Sequence, residues 1–157
     1  MPSGETASDP SAAETSAKAD TRLAVSDEHL EVVRRWWASF NEHGIPSLDL
    51  CDEQIEIRNP PDFPVSGLYR GHEGVRQWRT DVFEIVDDAS VEVEKLIDVG
   101  DGATVVMFLR LQGKALYTRI EFDEPWAAVW RIEGGKLVHA QGYISRRDAV
   151  EAAGLQV

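Results

Sequence analysis

From Leu30 the chain places apolar residues at steps of 3, 4 and 3: Leu30, Val33, Trp37 and Phe40. That spacing draws one apolar stripe along an α-helix. Ser26 stands where it can cap this helix, and Asp27 and Glu28 complement the positive end of its dipole. Gly44 and Pro46 end it, and a short further helical turn holds Leu48 and Leu50. From Gln54 to Arg58 the period drops to two. Ile55 and Ile57 share one face and Glu56 and Arg58 the other, which predicts a half-buried strand. Asn59-Pro60-Pro61-Asp62-Phe63-Pro64 must be irregular, because each proline fixes φ and removes a donor. Gly71 opens a second long helix, in which Val75, Trp78, Val82 and Ile85 again step 3, 4, 3.

Past Asp88 the period changes for good. Val91, Val93, Ile97 and Val99 are expected on one face of a strand, and Gly100-Asp101-Gly102 makes a turn. Residues 103–112 form a strand with apolar residues on both faces. The next strand, about 117–132, puts Ile120, Phe122, Trp126, Ala128, Trp130 and Ile132 on one face. Glu133-Gly134-Gly135-Lys136 is a hairpin turn and 137–144 the last strand. Ser145 caps a terminal helix carrying Ala149, Val150 and Ala153, which Gly154 stops. Helices followed by strands on short turns predict an α+β domain with an antiparallel meander. Strands this long twist and bend. A helix across the concave side of such a sheet leaves a pocket.

Composition agrees with one globular domain: 157 residues, 43% hydrophobic and 28% charged. Residues 1–25 carry no aromatic residue and little to bury, so a disordered N-terminal tail is expected there, with the domain spanning 26–157. A net charge of −12 argues against nucleic acid and against the anionic membrane face as partners. No apolar run is long enough to span a membrane, and no signal-peptide pattern opens the sequence. The expectation is a cytoplasmic protein. Cys51 is the single cysteine and reads as a small buried apolar residue rather than a nucleophile. No Cys/His cluster, H-E-x-x-H or phosphate loop occurs, so no metal and no cofactor is implied.

Five pieces in order carry a resemblance: the helix ending in W-x-x-x-F-N at Trp36 to Asn41; the strand running into Asn59-Pro60-Pro61; Leu68-Tyr69-Arg70-Gly71-His72-Glu73-Gly74-Val75; the stretch from Ala128 to Val138; and Arg146 to Leu155. Over about residues 27–155 the chain resembles the SnoaL-like branch of the nuclear-transport-factor-2-like superfamily. The resemblance implies a cone-shaped α+β barrel, in which a curved antiparallel sheet is closed by N-terminal helices. It implies a homodimer and a pocket between sheet and helices. Polyketide cyclases, ketosteroid isomerase, limonene epoxide hydrolase and scytalone dehydratase are among the relatives, beside pure binding modules. The fold alone does not choose between them.

In the cyclases and the epoxide hydrolase the last strand reads roughly W-R-D-Y, and its Asp works in the pocket. The matching stretch here is Ala140-Gln141-Gly142-Tyr143. Gly142 stands in place of the acid and Ala140 in place of the Trp, which removes the base and is expected to enlarge the cavity. An R-x-D pair becomes Arg110-Leu111-Gln112, and Tyr-x-Asn becomes Ile57-Arg58-Asn59.

The catalytic residue is therefore open. Candidates are His139, the best base by chemistry but on the strand face opposite Ala140 and Gly142; His72 in a helix first turn; and Glu121, which shares a face with Arg119. Lys95 interrupts the apolar face of its strand, as a pocket amine, a bulge or a snorkelling stem. The expected ligand contacts are Asn59, Tyr69, Trp78, Arg110, Gln112 and Trp130. All five tryptophans, Trp36, Trp37, Trp78, Trp126 and Trp130, are assigned mainly to the core, with one or two left to line a pocket for a flat apolar ligand. The leading reading is a domain binding a small apolar molecule, in a homodimer. The alternatives are a cyclase-, isomerase- or dehydratase-like enzyme using another acid or base, and a dimerising scaffold with a filled cone.

Overall fold

The structure of the protein, a computed structural model, describes residues 10–61 and 67–155, with side chains described from Asp27 onward. Helix α1 spans Pro10–His43 and a 3₁₀ turn spans Leu48–Leu50. Then come β1 (Cys51–Arg58), β2 (Leu68–Arg70), α2 (Gly71–Phe83), β3 (Val86–Asp98), β4 (Thr104–Ala115), β5 (Glu121–Glu133), β6 (Lys136–Tyr143) and α3 (Arg146–Ala152). Residues 1–9 of the expected tail, and the irregular stretch at Asp62 to Pro64, lie outside the described residues.

Helix α1 does not start at Ser26. It starts with Pro10 at its first position, where a missing N–H costs nothing, and Ser26 lies inside it. Residues 11–25 hold Ala, Glu, Lys and Leu, which favour helix by intrinsic propensity. Val33, Trp36, Trp37 and Phe40 turn inward and are buried. Gly44 closes the helix at φ 80°, its N–H donating to the Phe40 carbonyl at 2.7 Å. Asn41 then fastens α1 to β3. Its Nδ2 donates to the Val91 carbonyl at 2.7 Å, and its Oδ1 accepts the Val91 N–H at 2.8 Å.

One six-stranded sheet runs in the order β2-β1-β6-β5-β4-β3. The meander β3 to β6 is antiparallel, as its short turns require. Gly134 and Gly135 make the β5–β6 turn at φ 58° and 77°, the conformation of a type I′ hairpin. The sheet as a whole is mixed, because β1 lies parallel to β6, Ile57 opposite Ala140. No hairpin links these two strands, so no turn dictates their direction.

Register breaks in β3 between Val93 and Lys95. This bulge is the reason Lys95 interrupts the alternation: the side chain is exposed, not a pocket amine. It also corrects the expected face. Val91, Val93 and Leu96 pack into the main core, while Ile97 and Val99 pack on the opposite side. Two other expected core positions are exposed. Ile85 falls beyond the end of α2, and Ile120 lies in the β4–β5 turn, before β5 begins.

The concave face of the sheet carries the main core, closed by α1 and α2. On the other face, α3 covers Val106 and Ala127 with Ala149. Ser145 caps α3, its hydroxyl accepting the Asp148 N–H at 3.3 Å.

Candidate functional site

Between the two long helices and the sheet lies a cavity of about 70 Å³, counted as space for the centres of water-sized molecules. By that measure one water needs about 10–15 Å³, so the space holds several waters or one small ring. Strand parity decides its walls. Odd positions of β4 (Met107, Leu109, Leu111) and even positions of β5 (Trp126, Ala128, Trp130) face inward, with Ala140 and Gly142 of β6. Helix α1 supplies Trp36 and Trp37, and α2 supplies Trp78, Val82 and Phe83. Arg58, Asn59 and Pro60 close one side where β1 ends.

The tryptophans meet edge to face. Trp36 and Trp130 have ring centroids 5.7 Å apart, Trp37 and Trp130 6.3 Å, and Trp37 and Trp78 6.1 Å. Such pairs add to the stabilisation from burial. Asn59, 7% exposed, accepts the Trp78 indole N–H on Oδ1 at 3.0 Å. Among the described residues, the buried indole N–H groups of Trp36, Trp37 and Trp130 have no hydrogen-bond partner. Among the described lining residues, Arg58 is the one that carries a charge, and it is exposed. The described lining residues include no carboxylate, imidazole, amine, phenol or thiol.

Of the expected ligand contacts, Asn59, Trp78 and Trp130 line the cavity, and Tyr69, Arg110 and Gln112 do not. The Tyr69 hydroxyl donates to Asp81 of α2 at 2.8 Å. Burial, then that carboxylate, pushes its phenol up to about 12. Arg110 and Gln112 sit at even positions of β4, whose odd positions form the wall. The Arg110 Nε donates to Asp123 at 2.7 Å and thereby holds the Asp123 carboxyl below the usual carboxylate range. Gln112 lines a separate open cleft with Asp88, Lys114, Glu121 and Asp123.

None of the catalytic candidates lines the cavity. The Glu121 side chain is 79% exposed and lies 3.9 Å from Lys114. Its expected companion Arg119 pairs instead with Asp87 at 2.7 Å, across the β3–β4–β5 corner. His72 places Nε2 3.3 Å from the Cys51 carbonyl. His139 is half-buried opposite Arg131 and Glu56 on the neighbouring strands. Cys51 is buried, which pushes its thiol up to about 11. It behaves as the apolar residue expected.

Gly142 does not enlarge the cavity. A Cβ there would sit 2.9 Å from Cδ of Pro60. The proline ring fills the room in which a side chain at 142 would start. This role of Pro60 has no local signal in the sequence, since the two residues meet only through the parallel β1–β6 pairing. Trp36 and Trp37 are the other site residues underweighted in the sequence. Their place on the inner stripe of α1 was the available signal.

A family model described as SnoaL-like domain matches residues 33–140. No curated protein matches the chain. Among solved structures the chain is similar to an NTF2-like protein from Burkholderia thailandensis, at 26% identity and TM-score 0.63, covering 80% of this chain and 96% of that one. It is also similar to a protein with a ketosteroid isomerase-like fold from Catenulispora acidiphila, in complex with trimethylamine: 19% identity, TM-score 0.60, 80% and 94% covered. A third is RV0760c from Mycobacterium tuberculosis, in complex with estradiol-17beta-hemisuccinate: 16% identity, TM-score 0.60, 74% and 92% covered. The last two likenesses concern the fold alone.

Proposed function

We propose that this chain, which belongs to the SnoaL-like domain family, binds a compact and largely apolar molecule in the cavity between α1, α2 and the sheet. One observation carries the reading: the described cavity wall is aromatic and aliphatic, with Asn59 as its buried polar side chain. A pocket of that makeup binds by burying apolar surface and orients its ligand with few polar groups. The enzyme alternatives need an acid or an imidazole within reach of the ligand. His139, His72 and Glu121 all lie elsewhere. Asn59, Trp78 and Trp130 remain the ligand contacts of the proposal.

The protein acts as a homodimer in this reading, through the sheet surface around Arg131 and His139, and works in the cytoplasm. No described helix is long and apolar enough to cross a membrane. Sedimentation of the pure protein tests the dimer, which a species of 17.5 kDa at all concentrations rejects.

A thermal-shift panel tests the binding. It spans small amines, compact aromatic compounds and polyketide-like and steroid-like molecules, because the solved relatives hold ligands as different as trimethylamine and a steroid hemisuccinate. A compound that occupies the native cavity raises Tm with dose. Ala140→Leu fills the space opposite Trp130 and abolishes that rise. A panel without any dose-dependent shift, or a shift untouched by Ala140→Leu, refutes the proposal.

A further inference from the structure

We infer that Pro60 sets the length of the ligand, confining this cavity to molecules of one ring with a short substituent and excluding fused polycyclic frames. The inference rests on the cavity reading above and specifies its ligand class. Of the described residues of β6, Ala140 and Gly142 line the cavity. Ile144, just past the strand, is 48% exposed and lies outside the lining, so the cavity ends near Gly142 in this direction. Pro60 stands at that end. It is buried and lines the cavity, and its Cδ and Cγ lie 2.9 and 3.3 Å from the point where a Cβ on Gly142 would start. Gly142 shares the inner face with Ala140, so the ring sits on the cavity side of the sheet.

Two tethers hold the ring in place. The Asn59 side chain accepts the Trp78 indole N–H at 3.0 Å, which fixes the residue before the proline to α2. The Gln141 Nε2 donates to the Asn59 carbonyl at 3.3 Å and to the Gly142 carbonyl at 3.0 Å. The Asn59–Pro60 peptide is thereby tied to β6 by a residue outside the cavity lining. A proline ring has no side-chain rotamer through which to swing aside, whereas a long flexible side chain adapts to what it meets. The end wall is therefore fixed. A space of about 70 Å³ for the centres of water-sized molecules holds one small ring, and a second fused ring would have to pass through Pro60.

The test titrates the n-alkylbenzenes from benzene to pentylbenzene, and naphthalene beside them, into the full chain by calorimetry. The alkyl series lengthens in one dimension at constant width. Affinity rises about fourfold per methylene while apolar surface is being buried. At the homologue whose end meets Pro60 it falls by about tenfold, the effect of forcing atoms into a fixed wall. Naphthalene binds more weakly than benzene, against the order of their apolar areas. Pro60→Ala removes Cγ and Cδ of the ring and moves the fall to a homologue about one or two methylene groups longer.

Affinity that climbs through the whole series, or naphthalene bound more tightly than benzene, overturns the inference and leaves the cavity reading standing. A fall at the same homologue in Pro60→Ala also overturns it, as does a uniform loss across the series, which marks a merely structural proline. Binding of no compound removes the cavity reading and the inference together. Where Pro60→Ala fails to fold, the unmodified protein with its tightest homologue decides. Nuclear Overhauser contacts between one end of that ligand and the Pro60 ring protons support the inference, and their absence overturns it.

Discussion

Adding one methyl group to Gly142 tests the central packing claim. The new Cβ meets Pro60 Cδ at 2.9 Å and Cγ at 3.3 Å, closer than carbon atoms normally approach. A proline ring has no rotamer to yield with, so the strain passes to β1 and β6. Overpacking of this kind costs about 1–3 kcal/mol. Gly142 has an ordinary φ, so alanine is compatible with its backbone and returns about 0.4–1 kcal/mol through the unfolded chain. The net expectation for Gly142→Ala is a loss of about 1.5 kcal/mol, a fall in Tm of roughly 3–6 °C for a chain of this length. Urea denaturation measures it. The decisive arm is the double variant. Pro60→Ala removes the ring that the new methyl strikes, so the two changes together cost about 1 kcal/mol less than their sum. A Gly142→Ala protein as stable as the parent, or costs that simply add, refutes the claim that Pro60 fills this space.

Further expectations follow from the same geometry. Trp78→Phe leaves Asn59 Oδ1 without its indole donor and destabilises by about 1–3 kcal/mol in urea, where a neutral result refutes the bond. Cys51, with its thiol raised to about 11, resists alkylation at pH 8 until the chain unfolds, as mass spectrometry of quenched samples reads. Its ordinary value is 9.0, so the stability it contributes is complete below pH 9 and is lost as pH rises towards 11. Asp101 is held down to about 2, first by the Thr104 hydroxyl and then by the backbone N–H of Ala103. Its contribution is therefore present above the ordinary 3.8 and is lost as pH falls towards 2. Because the carboxylate is exposed, solvent screening keeps that contribution to about 1 kcal/mol or less, and Asp101→Asn makes the acid limb of a stability–pH curve shallower.

The long helices were legible because burial of one face imposes a period, which Val33, Trp37, Phe40, Val75, Trp78 and Val82 all display. The β3 bulge was half legible: Lys95 broke the alternation, yet nothing local told which of Ile97 and Leu96 would turn inward. On β4 the parity that places Arg110 outside was masked, because α3 gives Val106 a second apolar surface to face. Tyr69 reads as a ligand anchor until Asp81, on another element, is brought beside it. The site was legible where residues sit on one periodic face, as with Trp78 and Trp130. It was opaque where distant segments meet, as with Pro60 against Gly142.

The parallel pairing of β1 with β6 also bears on how the chain reaches its structure. Arg58 lies opposite Gln141, so this seam closes a loop of some eighty residues. Loop-closure entropy for that length is about 4 kcal/mol, which a few strand contacts must overcome. The hairpins of the meander pair neighbours in sequence and have no such barrier. By that measure the meander from β3 to β6 forms before β1 docks and offers β6 as its template. Asn59 and Pro60 arrive with β1, so the cavity lacks that wall until the seam closes. Before that step β6 presents a bare edge, the surface through which a half-folded chain would pair with another copy of itself.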